Sequence, residues 1–165
     1  MRRNIIPNRG ELKRKAVNYK TGLSIKLDDE LKAKMEQVME NSSAMFLDET
    51  VEILKGLREQ LGRAATDPSS RREVLEHVRE EAFQIKGMGG TFGYPLMTEF
   101  AKSLHDFLKE LTDLDELQQE IVSIHIDTLY VVVSHRIKGT GGPLEAQLRA
   151  SLKAAVDKAK PVQKA

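Results

Sequence analysis

The sequence predicts an all-α protein, an antiparallel helical bundle folded as one domain. Three observations predict it. Apolar residues recur at spacings of three and four, as in Leu47, Val51, Leu54, Leu57 and Leu61, which is the period of a helix with one buried face. Clusters of Gly, Pro, Ser, Asn and Asp punctuate the chain at helix-length intervals, and no clear strand pattern lies between them. With 165 residues, the chain is long enough to bury a core without staples, and it has no cysteine to form any.

Six helices follow in order. Asp28 and Asp29 open the first, where carboxylates suit a helix N-terminus, and Leu31, Met35, Val38 and Met39 form its apolar stripe. Asn41, Ser42 and Ser43 interrupt it and offer a cap for the second helix, which ends at Gly62 and the cluster Thr66 to Ser70. The third runs from about Ser70 to Gly90. Pro95 starts the fourth, which continues to about Leu111. Thr112 and Asp113 start the fifth, which reaches Lys138. That segment is rich in β-branched residues, yet no turn signal interrupts it, and a strand of that length would be unusual. Leu114, Leu117, Ile121, Ile124, Thr128 and Val131 give it a helical stripe. Gly139 to Pro143 divides it from the sixth helix, about 143–160, with Leu144, Leu148, Leu152, Ala155 and Ala159 on one side.

Charge divides the chain differently. Residues 1–27 carry eight Lys and Arg against one acid, a net of +7, and residues 151–165 carry +3. A total of +1 then leaves −9 on residues 28–150, so an acidic body carries two basic ends. The expected organisation is a basic arm over 1–27, a helical bundle over 28–138 and an added helix over 143–160. The arm has only Tyr19 as an aromatic, so it lacks the stacking residues of a single-strand binder, and no nucleic-acid partner is expected. No apolar run approaches a membrane span, and the basic start MRRNIIPNRG lacks an apolar signal core. A cytoplasmic protein without a membrane partner is the expectation.

The informative stretch is Val74 to Gly93. On a helical wheel at about 100° per residue, Val74, Leu75, Val78, Ala82 and Ile85 share the core face. Phe83 falls near 140° from Val78 and Gly87 near 180°, with Gly90 near 120°, among Glu76, Arg79 and Glu80 on the outer side. Glycine within a helix costs about 0.5–1 kcal/mol relative to alanine. Glycines on an outer face therefore point to the close approach of another backbone, unless they are only the frayed end of the helix.

The run Phe83-Gln84-Ile85-Lys86-Gly87-Met88-Gly89-Gly90-Thr91-Phe92-Gly93 resembles the histidine phosphotransfer (HPt) signature. That signature reads His-x-Leu/Ile-Lys-Gly, then small residues, then Gly six positions after the first. The likeness is close to the phosphotransfer domain of chemotaxis histidine kinases, and it spans roughly residues 28–138. It implies an antiparallel four-helix bundle with a short N-terminal helix, to which this chain adds a C-terminal helix. It also implies a place in bacterial two-component phosphorelay signalling, with a response-regulator receiver domain or a histidine kinase as partner. The phosphorylated histidine of the family aligns with Phe83. A phenyl ring has no lone pair with which to attack a phosphoryl group. The resemblance therefore implies a non-catalytic pseudo-HPt protein that docks its partner through Phe83, Lys86, Gly87, Gly90, Arg79 and Glu80.

The other chemistries are weaker. His77 reads as a solvated flank residue and His125 as a partly buried, hydrogen-bonded core residue. His135 lies near a helix end, where a cation favours the dipole. His105 is the candidate surrogate phosphosite, and an active phosphotransfer protein built on it is the alternative function. Self-pairing through the Phe83 face, giving a structural homodimer, is another. No histidine pair has the spacing of a helical metal site, Gly89-Gly90 follows no strand, and no serine sits in a nucleophile elbow. Neither an enzyme, a metal nor a cofactor is expected.

Overall fold

The computed structural model describes residues 29–139 and 141–159. The basic arm expected over 1–27 lies outside the described residues, as does the end of the chain beyond 159. Among the described residues there are five α-helices and no strand. They are α1 (Asp29–Thr66), α2 (Arg71–Gly89), α3 (Pro95–Leu108), α4 (Glu116–Ser134) and α5 (Pro143–Ala159), with a 3-10 turn at Pro68–Ser70. Two compact units divide after Val38. In the first, residues 29–38 are exposed helix, with ion pairs Asp29–Lys32 (2.9 Å) and Glu30–Lys34 (2.6 Å). Leu31, Met35, Val38 and Met39, the expected apolar stripe, are all exposed.

The second unit holds the core. From α1 it takes Leu47, Leu54, Leu57, Leu61 and Ala64, at the spacings that predicted the helix. Val74, Leu75, Val78, Ala82 and Ile85 of α2 are buried, as the wheel placed them. Leu96, Met97, Phe100, Ala101, Leu104 and Leu108 line the inner face of α3. Each fully buried leucine or phenylalanine contributes roughly 1.5–3 kcal/mol, so this stripe, rather than helix propensity, holds the elements together. In chain order α2 packs on α3, α3 on α4 and α4 on α5.

Several boundaries differ from expectation. No break occurs at Asn41-Ser42-Ser43, and the expected short first helix is the front of one 38-residue helix. Asn and Ser cost a helix only a few tenths of a kcal/mol each, and no Gly or Pro stands nearby to turn the chain. Gly62 lies within α1, which ends at Thr66. Asp67 caps the following turn, its carboxylate accepting from the backbone N–H of Ser69 (3.0 Å) and from the Ser69 hydroxyl (2.6 Å). These bonds, the hydroxyl's first, hold Asp67 below the usual carboxylate range. Helix α3 stops at Leu108, and α4 starts at Glu116 instead of Thr112. A capping box decides that start: Asp115 accepts from the Gln118 N–H (2.8 Å), and the Gln118 side chain accepts from the Asp115 N–H (2.9 Å). Helix α4 ends four residues before Lys138, where Arg136 takes a left-handed φ of 49° and closes the helix end. Leu117 is exposed, because the buried face of α4 centres on Val122, Ile126, Leu129 and Val133. Of the α5 stripe, Leu152 is buried and Leu144 is exposed, and Arg149 forms a bidentate ion pair with Glu99 of α3 (2.7 and 2.8 Å).

His125 is a core residue of α4, as its neighbours predicted, but buried in full rather than in part. Its Nδ1 is 2.9 Å from the Ile121 carbonyl and its Nε2 is 3.1 Å from Ser103 Oγ. A carbonyl can only accept, so Nδ1 carries the proton and Nε2 accepts from the serine hydroxyl. Burial pushes the imidazole below its ordinary value of 6.5, against a smaller opposing pull from the Ile121 carbonyl. The fold therefore holds the neutral ring. As pH falls below about 6.5, the unfolded chain takes up a proton that the fold refuses, and stability drops by up to about 1.4 kcal/mol per pH unit. The loss levels off once the pH reaches the folded value. Urea unfolding between pH 7.5 and 5 should show this decline in the wild type and a shallower one in His125→Leu. Parallel profiles would remove His125 as the cause.

Candidate functional site

The outer side of α2 presents the site. Its core-facing residues leave Phe83 on the opposite side of the helix, where the ring is 55% exposed. Lys86, three residues on, holds its ammonium 4.6 Å from the ring centroid, a cation–π contact. On the neighbouring α3, the ring of His105 lies 5.7 Å from Phe83 and is tilted by 47°. His105 is only partly exposed, and its Nδ1 is buried without a hydrogen-bond partner, 3.8 Å from the Asp106 carboxylate. Lys102 pairs with Asp106 at 2.6 Å and draws that carboxylate below its ordinary range.

The glycines divide by role. Gly87 is exposed and helical, so it is not a frayed end, and a Cβ added there would meet nothing within 4 Å. Gly90 is exposed, with Thr98 Oγ1 3.4 Å from an added Cβ. The close approach within the fold occurs at Gly89 instead, where an added Cβ would stand 3.0 Å from Met97 Cβ, Thr98 N and Thr98 Oγ1. Glycine is needed at Gly89 because α3 lies against it. Tyr94 donates its N–H to the Gly89 carbonyl (2.8 Å), and Gly93 turns the chain at φ 80°.

Glu80 is exposed, one turn before the ring. Arg79, also expected at the docking face, is engaged within the fold. Its Nη2 donates to the carbonyls of Leu108 (3.0 Å) and Leu111 (2.8 Å), and its Nη1 donates to Glu76 (2.6 Å). A guanidinium there satisfies orphan carbonyls and the negative end of the α3 dipole. It ties α2 to the end of α3 across 29 positions of sequence, and no local pattern announces such a bond. His77 is also more engaged than a solvated flank residue. It is half-buried, with Nδ1 2.8 Å from Gln60 Oε1. His135 caps α4, its Nδ1 3.0 Å from the Val131 carbonyl. Among the described residues no group of His, Asp and Glu is arranged to hold a metal ion, and no helix is long and apolar enough to cross a membrane.

The family model of the Hpt domain matches residues 42–130, more than half of the chain. The chain belongs to the Hpt domain family. The matched span starts within α1 and closes near the end of α4, so it contains the Phe83 face and the elements that build it. The front of α1 and all of α5 fall outside it. No curated protein and no solved structure matches the chain. Family membership brings a phosphorelay-related role and kinases or receiver domains as the general class of partner.

Proposed function

We propose that this Hpt domain is a pseudo-HPt protein of a bacterial two-component system, related to the phosphotransfer domains of chemotaxis kinases. Its matched helices form an antiparallel four-helix bundle in the cytoplasm. It binds a partner, a receiver domain before a histidine kinase, and performs no phosphotransfer at position 83. The observation that carries the reading is the exposed Phe83 ring beside Lys86, with open space above Gly87. Lys86, Gly87 and Gly90 keep the family's identities, while the group that would carry phosphate has become apolar. Glu80 is exposed one turn before the ring, and Arg79 ties α2 to the end of α3.

Burying one phenylalanine at an interface contributes roughly 1.5–3 kcal/mol. Calorimetric titration with purified receiver domains of the same genome should therefore lose at least about tenfold in affinity on Phe83→Asp. Unchanged affinity would sink the proposed face. A second reading, phosphotransfer through His105, draws on the contact of that ring with Phe83. It requires an acid-labile phosphoryl label on the wild type that disappears in His105→Gln.

A further inference from the structure

Phe83 is half-exposed, yet its ring is held. Lys86 Nζ lies over it at 4.6 Å, and the His105 ring lies against it at 5.7 Å. The electron-rich face that attracts an ammonium repels an anion. His105 offers no ready donor from Nδ1, which is buried. Glu80, exposed on the same side of α2, adds a negative charge. A partner therefore meets an apolar disc with its nearest cation already engaged, and Gly87 leaves room for close approach.

From this arrangement we infer that the Phe83 face selects the phosphoryl-free form of its receiver partner, and that phosphorylation of the receiver releases it. The inference rests on the docking reading above. A phosphoryl group adds about two negative charges and three strongly hydrated oxygens. Position 83 is where the family's histidine would meet that group. Here the oxygens would press on a phenyl ring, which offers no donor in place of the water they lose. Lys86 could neutralise them only by leaving the ring. The unmodified aspartate is smaller and carries one charge, so it sets less bulk and less charge against the ring.

The test is calorimetric titration of the full chain with purified receiver domains of the same genome in magnesium buffer. Each receiver is used with and without beryllofluoride, which mimics the aspartyl phosphate. The wild type should bind the beryllofluoride form at least about tenfold more weakly, or 1.4 kcal/mol. In Phe83→Ala, which removes the half-exposed ring and leaves the buried core face of α2 intact, the two affinities should converge to within about threefold. Equal or tighter binding of the beryllofluoride form by the wild type overturns the inference while leaving the docking face intact. Binding in neither form overturns the docking reading itself, and this inference with it.

Discussion

Phe83→His should convert a chain that takes no phosphoryl group at this position into one that does. Incubated with a phosphorylated receiver domain, the variant should acquire an acid-labile, base-stable label at the substituted position. The chemistry needs a lone pair, a neutral ring and a neutralising cation, with room for the donor. The substituted imidazole supplies the lone pair. It attacks the phosphorus of the aspartyl phosphate, the N–P bond forms as the acyl P–O bond breaks, and the aspartate leaves as a carboxylate. Position 83 is well exposed, so a receiver's phosphoryl group can reach an imidazole there. Lys86 already places its ammonium 4.6 Å from the ring at this position, close enough to meet phosphoryl oxygens once the phenyl no longer holds it. Gly87 leaves the approach open. A folded, unlabelled variant would mean that the surface around position 83 has diverged together with the residue itself.

What the sequence made legible follows from the range of the physics involved. The core face of α2, the outward turn of Phe83 and the start of α3 at Pro95 depend on local period and local backbone rules, and all three appear in the fold. His125 was legible for the same reason, since its neighbours at helical spacing are apolar. The break at Asn41-Ser42-Ser43 was a competition between capping preference and helix continuation. Cap-forming residues lower helix propensity only slightly, so without a chain-turning residue the helix continued. The stripe Leu31, Met35, Val38 has helical period yet is exposed, because period reports which residues share a side and not what covers them. Arg79 shows the other limit. Its composition and place on the wheel put it beside Phe83, whereas a bond to α3 takes up its head group.

The glycines supply the largest effect expected on stability, with opposite signs two residues apart. Gly87 lies in the last turn of α2 and Gly89 is its final residue, so a side chain raises helix propensity by up to about 1 kcal/mol at Gly87 and by less at Gly89. At Gly87 nothing within 4 Å opposes an added Cβ, and Gly87→Ala should stabilise the fold by about 0.5–1 kcal/mol. At Gly89 the first atoms an added Cβ would meet, at 3.0 Å, include the Thr98 backbone nitrogen in the first turn of α3. A backbone atom cannot swing aside like the end of a flexible side chain, so α3 as a whole must move. Leu96, Met97 and Phe100 would move with it, and all are buried in the core. Overpacking of this kind costs about 1–3 kcal/mol for added methylenes, and a β-branched side chain brings two methyls into the contact. Gly89→Val should therefore lose at least about 2 kcal/mol net of propensity, and Gly89→Ala should fall near neutral or slightly below. Chemical unfolding of the three variants beside the wild type gives the order Gly87→Ala, wild type, Gly89→Ala, Gly89→Val. If Gly89→Val unfolds at the wild-type midpoint, α2 and α3 do not approach closely at this glycine. If Gly87→Ala keeps its stability gain but loses receiver binding, the open space above Gly87 belongs to the partner, which separates the two glycines by function as well as by packing.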